Sequence, residues 1–399
     1  MIFPDWLLAF LPEYAIFPLS TLEVMVKVFP EIKYSEKELL GRINSTTAAD
    51  MDRALCAGET SFNDFLSLIS PLAGEQYMDA MREKSERIRK MRFGNVARLY
   101  APIYFSNYCV NGCVYCGFRT SNHFKRRRLS IDETIAEAEV LRKWGMESVL
   151  LIAGSDPLTV NLEYMLPVVR RLREMFAYIS IELHPQTVDF YRELIKAGVH
   201  GMTIYQETYD QETYRKLHPT GPKSVYGNRV VAPENGARAG FYNIGVGALL
   251  GLYDWRSEAV SMAAHTLHVR KINWQVRNQV SFPRITPMEG GFEVPHPVSR
   301  HDLEQMMLAF RIYFPEIDMF ISTREPHAFR MNVIQTCATH ISAGSKVNPG
   351  GYVESEKQKE SADVGQFTVV DDHSVPNVVA SLKKINMEPV FKDWDPLFQ

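Results

Sequence analysis

Tyr108-Cys109-Val110-Asn111-Gly112-Cys113-Val114-Tyr115-Cys116-Gly117-Phe118 gathers three of the five cysteines of this chain into eight consecutive residues. Three residues and then two separate them. Thiolates this close must point at one shared object, because so short a segment can wrap a metal centre but cannot pair three sulfurs into disulfides. Structural zinc wants four protein ligands, and the next cysteines, Cys56 and Cys337, lie far off in sequence. An iron–sulfur cubane held by Cys109, Cys113 and Cys116 would instead leave one iron without a protein ligand. Zinc and plain electron transfer are the competing readings.

Working outward, the run Arg98-Leu99-Tyr100-Ala101-Pro102-Ile103-Tyr104-Phe105 reads as a strand that leads straight into the cysteine loop. Later strand candidates are Ser148 to Ala153, Tyr178 to Leu183, Gly201 to Tyr205, Asn243 to Leu249, Gln275 to Ser281, Met319 to Ser322 and Thr339 to Ser342. Helical stretches such as Ile131 to Trp144 and Val188 to Ala197 separate them. Strand and helix in alternation predict an α/β fold, a (βα)8 TIM-type barrel over residues 91–350, with an open partial barrel as the alternative. Residues 1–90 read as a helical amino-terminal extension and 351–399 as a carboxyl-terminal extension packed on the barrel. Ser35, Thr47 and Ser61, each followed by an acidic residue, are helix starts in the first extension. Cys56 and Cys337 read as buried small apolar residues.

With 399 residues and a net charge of −3, the chain shows no polyanion-binding excess, so nucleic acid is disfavoured. Lys125-Arg126-Arg127-Arg128 then reads as a solvated or salt-bridging rim. The apolar start contains Asp5, Glu13, Pro4 and Pro12 and has no basic region before it, which argues against a leader. No run is apolar for long enough to cross a bilayer, and reduced cysteines suit a cytoplasmic protein. The segment from Trp6 to Phe17 is expected to pack beneath the barrel or to form a contact surface.

Barrel enzymes place their chemistry at the carboxyl ends of the strands, where the loops converge. Polar residues standing there are the site candidates. After the second strand, Gly154 would let backbone carbonyls approach a ligand ammonium, Ser155 adjoins it, and Asp156 could neutralise that charge; the same residues are also common in turns. Glu182 and His184 end the third strand, where a carboxylate could accept from ribose hydroxyls. Gln206 and Glu207 follow the fourth and could hold an amine or a hydroxyl. Arg284 and Arg324 stand after two further strands, and two arginines there suggest a substrate carboxylate, which the guanidinium fork grips with paired bonds. His340 and Ser342 share one face of the last strand. Ser342 suggests a hydroxyl-lined floor, and His340 a satisfied core residue.

The C-x3-C-x2-C order, with Tyr115 beside the third cysteine, resembles the signature of the radical S-adenosylmethionine (SAM) enzymes. Together with Ser106-Asn107-Tyr108-Cys109, Gln206-Glu207-Thr208-Tyr209, Ser322-Thr323-Arg324-Glu325 and Pro349-Gly350-Gly351-Tyr352, it makes the chain similar to the aromatic amino-acid lyases of that superfamily. The resemblance runs from about Arg42 to the carboxyl end. Within the branch, the absence of extra carboxyl-terminal cysteines and the ending Lys392-Asp393-Trp394-Asp395 look like the 2-iminoacetate synthase type. The tryptophan lyases and the tyrosine lyases of hydrogenase maturation are the alternatives. The branch commonly has Gly-Glu where this chain has Gly154-Ser155-Asp156, which also leaves open a cluster-bearing scaffold without catalysis.

The resemblance implies a [4Fe-4S] cluster on the three cysteines and SAM held near Tyr115, Gly154, Ser155, Asp156, Glu182, Gln206 and Glu207. It implies L-tyrosine as substrate, with Arg324 on its carboxylate and Arg284 and Ser342 as helpers. A flavodoxin or ferredoxin as electron donor and a thiazole synthase as product acceptor follow from the same likeness.

Overall fold

Reciprocal caps start the first three helices among the described residues. Ser35, Thr47 and Ser61 each accept the backbone N–H three residues on, while Glu38, Asp50 and Asp64 accept the N–H of the cap itself. These open α1 (Glu36–Asn44), α2 (Ala48–Cys56) and α3 (Phe62–Leu68); α4 (Pro71–Gln76) and α5 (Met78–Phe93) follow. Helix α2 buries Met51 and Ala54, which turns Cys56 at its end toward solvent. The expectation that Cys56 is buried is therefore wrong. The computed structural model describes residues 34–288, 290–357 and 365–392. The Trp6 to Phe17 segment and Asp393, Trp394 and Asp395 of the ending lie outside them.

Strand β1 (Val96–Ser106) opens the barrel. There follow α6 (Ile131–Lys143), β2 (Ser148–Ala153), α7 (Leu162–Arg173), β3 (Tyr178–Glu182), α8 (Val188–Ala197), β4 (Gly201–Thr203) and α9 (Gln211–Leu217). Next come α10 (Tyr226–Val230), α11 (Ala232–Ala239), β5 (Asn243–Gly247), α12 (Trp255–Ile272), β6 (Arg277–Ser281), α13 (Arg300–Tyr313), β7 (Asp318–Ile321), α14 (His327–Thr336) and β8 (His340–Ser342). Every neighbouring pair is parallel. β1 pairs with β2 from Ala101↔Val149 onward and with β8 at Arg98↔His340, so the sheet closes on itself and the open alternative is excluded. Beyond the barrel lie α15 (Gly351–Glu356), α16 (Val375–Lys384) and β9 (Glu388–Val390). Strand β9 pairs with Val96 to Arg98 at the start of β1, an addition that the sequence reading did not contain.

Alternation along the strands sorts the residues by side. Leu99, Ile179, Met202, Ile244, Val280, Met319 and Ile341 are buried in the main apolar core. Their immediate neighbours in sequence, which face the other way, among them Tyr100, Ser180, Gln279 and Asp318, line a cavity of about 50 Å³ at the amino end of the barrel. His340 belongs to this cavity and stacks on Phe320, with ring centroids 4.1 Å apart and planes 9° apart.

Helices α3 and α5 lie against α13, and α5 also reaches α14. Phe65 meets Phe310 edge to face at 5.3 Å, and the buried Arg89 donates to the carbonyls of Gly94, Val96 and Ala338. Those bonds fix the amino end of β1 to the turn before β8, since each satisfies a carbonyl that would otherwise be buried without a donor. Cys337 is buried in that turn, as expected.

Candidate active site

At the carboxyl end of β1 the chain enters the cysteine loop, and the basic run that closes the loop is its internal brace. Ser106 bridges to Arg128, and Arg126 donates to the carbonyls of Asn107, Phe118 and Arg119. Arg127 pairs with Glu133 and Glu354. Asn111 ties the loop to its neighbours: its side-chain amide donates to Ser155 Oγ at 2.6 Å and lies 3.6 Å from Cys109 Sγ. Cys113 is buried, and Cys109 and Cys116 are half-buried. Burial pushes the Cys116 thiol up to about 12, with Cys113 and Cys109 adding to the rise, and burial raises Cys113 as well. Three sulfurs gathered in one short loop are a donor set for a cationic centre, which would compensate the charge that burial opposes at Cys113 and Cys116.

The second-strand loop packs directly on this one. A Cβ at Gly154 would run into the Tyr108 carbonyl oxygen and press on Cys109, so only glycine lets the two loops meet. Asp156 is 1% exposed and fully engaged: it pairs with Arg128, accepts from Ser106 Oγ at 2.8 Å and accepts from the Leu158 N–H. Arg128 in turn covers the Tyr108 ring at 3.7 Å. Asp156 thus braces the cysteine loop instead of standing open to a ligand.

Glu182, Gln206 and Glu207 gather at the ends of β3 and β4. Glu207, at a φ of 74°, is bound by Lys223 at 2.6 Å and by Arg229 at 2.9 Å. Burial works against its charge, but the two cations outweigh burial and hold the carboxyl at about 2. Glu182 has no ion pair or hydrogen bond among the described residues; burial first, then the Glu207 charge, pushes it up to about 7. Gln206 is 2% exposed, and among the described residues neither polar atom of its amide has a partner, nor does Asn107 Nδ2. Tyr115, inside the cysteine motif, sets its hydroxyl 2.7 Å from His218 Nε2.

The two arginines differ. Arg284 is committed to Glu325 through both nitrogens of its fork, with Nε to Oε1 at 2.7 Å. Arg324 has no acidic partner among the described residues; it donates weakly to Thr286 Oγ1 at 3.3 Å and to the Arg284 carbonyl at 3.5 Å. Burial lowers its pKa, while Tyr104, Tyr205 and Glu182 face it. Ser342 accepts the Thr323 N–H at 3.1 Å, which shapes the turn carrying Arg324. Sequence reading missed Tyr104, Lys223, Arg229 and Phe367 as members of this neighbourhood. Lys223 and Arg229 carried no local signal, and Phe367 lies in a segment far from the barrel strands in sequence.

The radical SAM superfamily profile matches residues 103–254, and the Biotin and Thiamin Synthesis associated domain matches residues 281–388. The 2-iminoacetate synthase of Escherichia coli (strain K12) is 39% identical over 355 residues, covering 89% of this chain and 93% of the relative. The chain belongs to the 2-iminoacetate synthase family of radical SAM enzymes. Two solved structures share its fold at moderate identity. HydG, a maturase of the [FeFe]-hydrogenase, aligns with a TM-score of 0.83 at 29% identity, covering 89% of this chain and 79% of its own. HydG from Carboxydothermus hydrogenoformans aligns with a TM-score of 0.78 at 27% identity, covering 94% and 83%.

Members of the 2-iminoacetate synthase family are carbon–carbon lyases, and the cofactors are a [4Fe-4S] cluster and SAM. The residues at the mouth fit such a pair. Three clustered thiols are present, Cys56 and Cys337 sit elsewhere, and the Gln206 amide and Asn107 Nδ2, without partners among the described residues, are buried polar groups of the kind a polar ligand satisfies. Among the described residues no helix is long and apolar enough to cross a membrane.

Proposed function

We propose that this enzyme cleaves the Cα–Cβ bond of L-tyrosine, releasing 2-iminoacetate and p-cresol for thiamine thiazole synthesis. The observation that carries the reading is Arg324, a half-buried guanidinium with no acid among the described residues to neutralise it. A cation left so in a closed space favours an anionic ligand, and the α-carboxylate of an amino acid matches its fork. Tyr104, Tyr205 and Phe367 around it suit an aromatic side chain.

Cys109, Cys113 and Cys116 hold the cluster, and Gly154, Ser155, Gln206 and Tyr115 bound the space for SAM. When bound, the two cofactors supply a low-potential electron and hydrogen-atom abstraction. The protein aims the substrate amine, keeps water out and fixes the carboxylate. Glu182, half-protonated near neutral pH, accepts a hydrogen bond from a hydroxyl at the junction of the two ligands. Arg284 and Ser342 support the turn of Arg324 through Glu325 and Thr323, while Asp156 and Glu207 brace the loops. A cytoplasmic flavodoxin or ferredoxin supplies the electron, and a thiazole synthase consumes the imine.

Anaerobic reconstitution with iron, sulfide, SAM, a reductant and one aromatic amino acid at a time tests the reading. Tyrosine should yield p-cresol together with glyoxylate, the hydrolysis product of 2-iminoacetate. Turnover of tryptophan in preference to tyrosine, or no deoxyadenosine with any amino acid, would overturn it.

A further inference from the structure

Residues 365–371 cross the barrel mouth and are bonded to four separate loops. Gln366 donates its N–H to the Val347 carbonyl at 3.1 Å and accepts the Gly117 N–H at 3.2 Å; Thr368 donates to the Pro287 carbonyl at 2.9 Å. Val370 and Asp371 both donate to the Thr323 carbonyl, at 2.9 and 3.0 Å, one residue before Arg324. This strap therefore touches the cysteine loop at one end and the substrate arginine at the other. Between those anchors the Gln366 side-chain carbonyl accepts from the Tyr104 hydroxyl at 2.8 Å, and the Phe367 ring lies 3.4 Å from the guanidinium carbon of Arg324.

The hydrogen bonds of Arg324 do not fix its plane. Both are long, both leave from the same nitrogen, and among the described residues no carboxylate grips the fork. What fixes the plane is the ring, which covers one face of the guanidinium and leaves the N–H groups along its edge for a ligand. The ring also keeps water off that face, which strengthens whatever bond the edge then makes.

We propose that Phe367 is a positioning residue for tyrosine binding: it pre-orients Arg324, so that a segment outside the barrel sets the enzyme's affinity for its amino acid. The proposal rests on the assignment of Arg324 to the substrate carboxylate. Removing the ring frees the guanidinium to sample other rotamers, and that lost order must be regained at each binding event. The cost falls on KM, because the cluster loop and the reacting bond are untouched.

The experiment compares Phe367→Ala, Phe367→Leu, Phe367→Trp and Val369→Ala in reconstituted enzyme of equal iron content. Val369 packs against the cluster of Tyr104, Phe118, Ile152 and Val347 from the same strap without stacking on Arg324, so its truncation loosens the strap and spares the ring. Phe367→Ala should raise the KM for tyrosine by about three- to thirty-fold with kcat nearly unchanged. Phe367→Leu, which keeps packing volume but has no π face, should show most of that rise, and Phe367→Trp should restore the wild-type KM. Val369→Ala should stay at the wild-type value. A KM within twofold of wild type for the alanine and leucine variants, an equal rise in Val369→Ala, or no rescue by tryptophan would overturn the proposal. Failure of the underlying assignment looks different: Arg324→Ala would then bind tyrosine as the wild type does.

Discussion

Glu182 ends the third barrel strand, Glu207 lies in the loop after the fourth, and the two repel one another, yet Lys223 and Arg229 hold Glu207 at about 2 while burial drives Glu182 up to about 7. Two carboxylates at the same end of neighbouring strands thus carry different charges at neutral pH. The division leaves Glu207 to hold loops together and Glu182 free to meet a ligand.

Folding stability should register the raised Glu182. Its folded-state pKa lies above the ordinary value of 4.5, so the native chain binds the extra proton and stability falls as pH rises from about 4.5 through 7. The loss should be on the order of 3 kcal/mol at most, given 1.36 kcal/mol per pKa unit. Glu182→Gln should remove it, making the ligand-free variant melt higher than the wild type at pH 8 but not at pH 4. Equal melting differences at both pH values would show that the carboxyl titrates normally.

Arg324→Ala should cut kcat/KM for tyrosine by at least about a hundredfold, the penalty of stripping a buried charge partner from a ligand carboxylate. Deoxyadenosine formed without tyrosine should persist, because the variant disturbs only the substrate end. Parallel assays of p-cresol and deoxyadenosine separate the two effects.

Cys113→Ala should abolish the charge-transfer absorbance of the reconstituted protein together with SAM cleavage. Cys337→Ala should leave both intact, since that thiol sits in the turn before β8 and donates to the Val333 carbonyl at 3.4 Å. Iron and sulfide per chain provide the check.

Asp156→Asn should loosen the cysteine loop, because it leaves Arg128 without its carboxylate and weakens the bond from Ser106. Arg128 is one-third exposed and is rescued in part by water, so the cost should be about 2 kcal/mol and not the full penalty of an orphaned buried charge. A lowered melting temperature with faster iron loss is the expected result. Unchanged iron retention would show that the loop stands without this brace.

The eight barrel strands were legible because each has an apolar face two residues in period and a turn at its end. Trimming was local: the fourth strand stops at Thr203 and the sixth begins at Arg277. Strand β9 escaped notice because Glu388-Pro389-Val390 is too short and polar to announce itself, and only its docking on β1 makes it a strand. At the site, the residue types could be read but their commitments could not. Arg284 and Arg324 look alike in sequence, and barrel closure alone decides that the first meets Glu325, 41 residues away, while the second meets no acid among the described residues. Asp156 and Arg128 are a similar case, since nothing in either local sequence foretells the pair.

Residues 365–371 emerge from the ribosome only after all eight barrel strands have been made, yet they form the wall beside Cys116 and Arg324. On the growing polypeptide the thiol loop therefore lacks its wall on that flank until residues 365–371 have been added, so the last barrel strand does not complete the site.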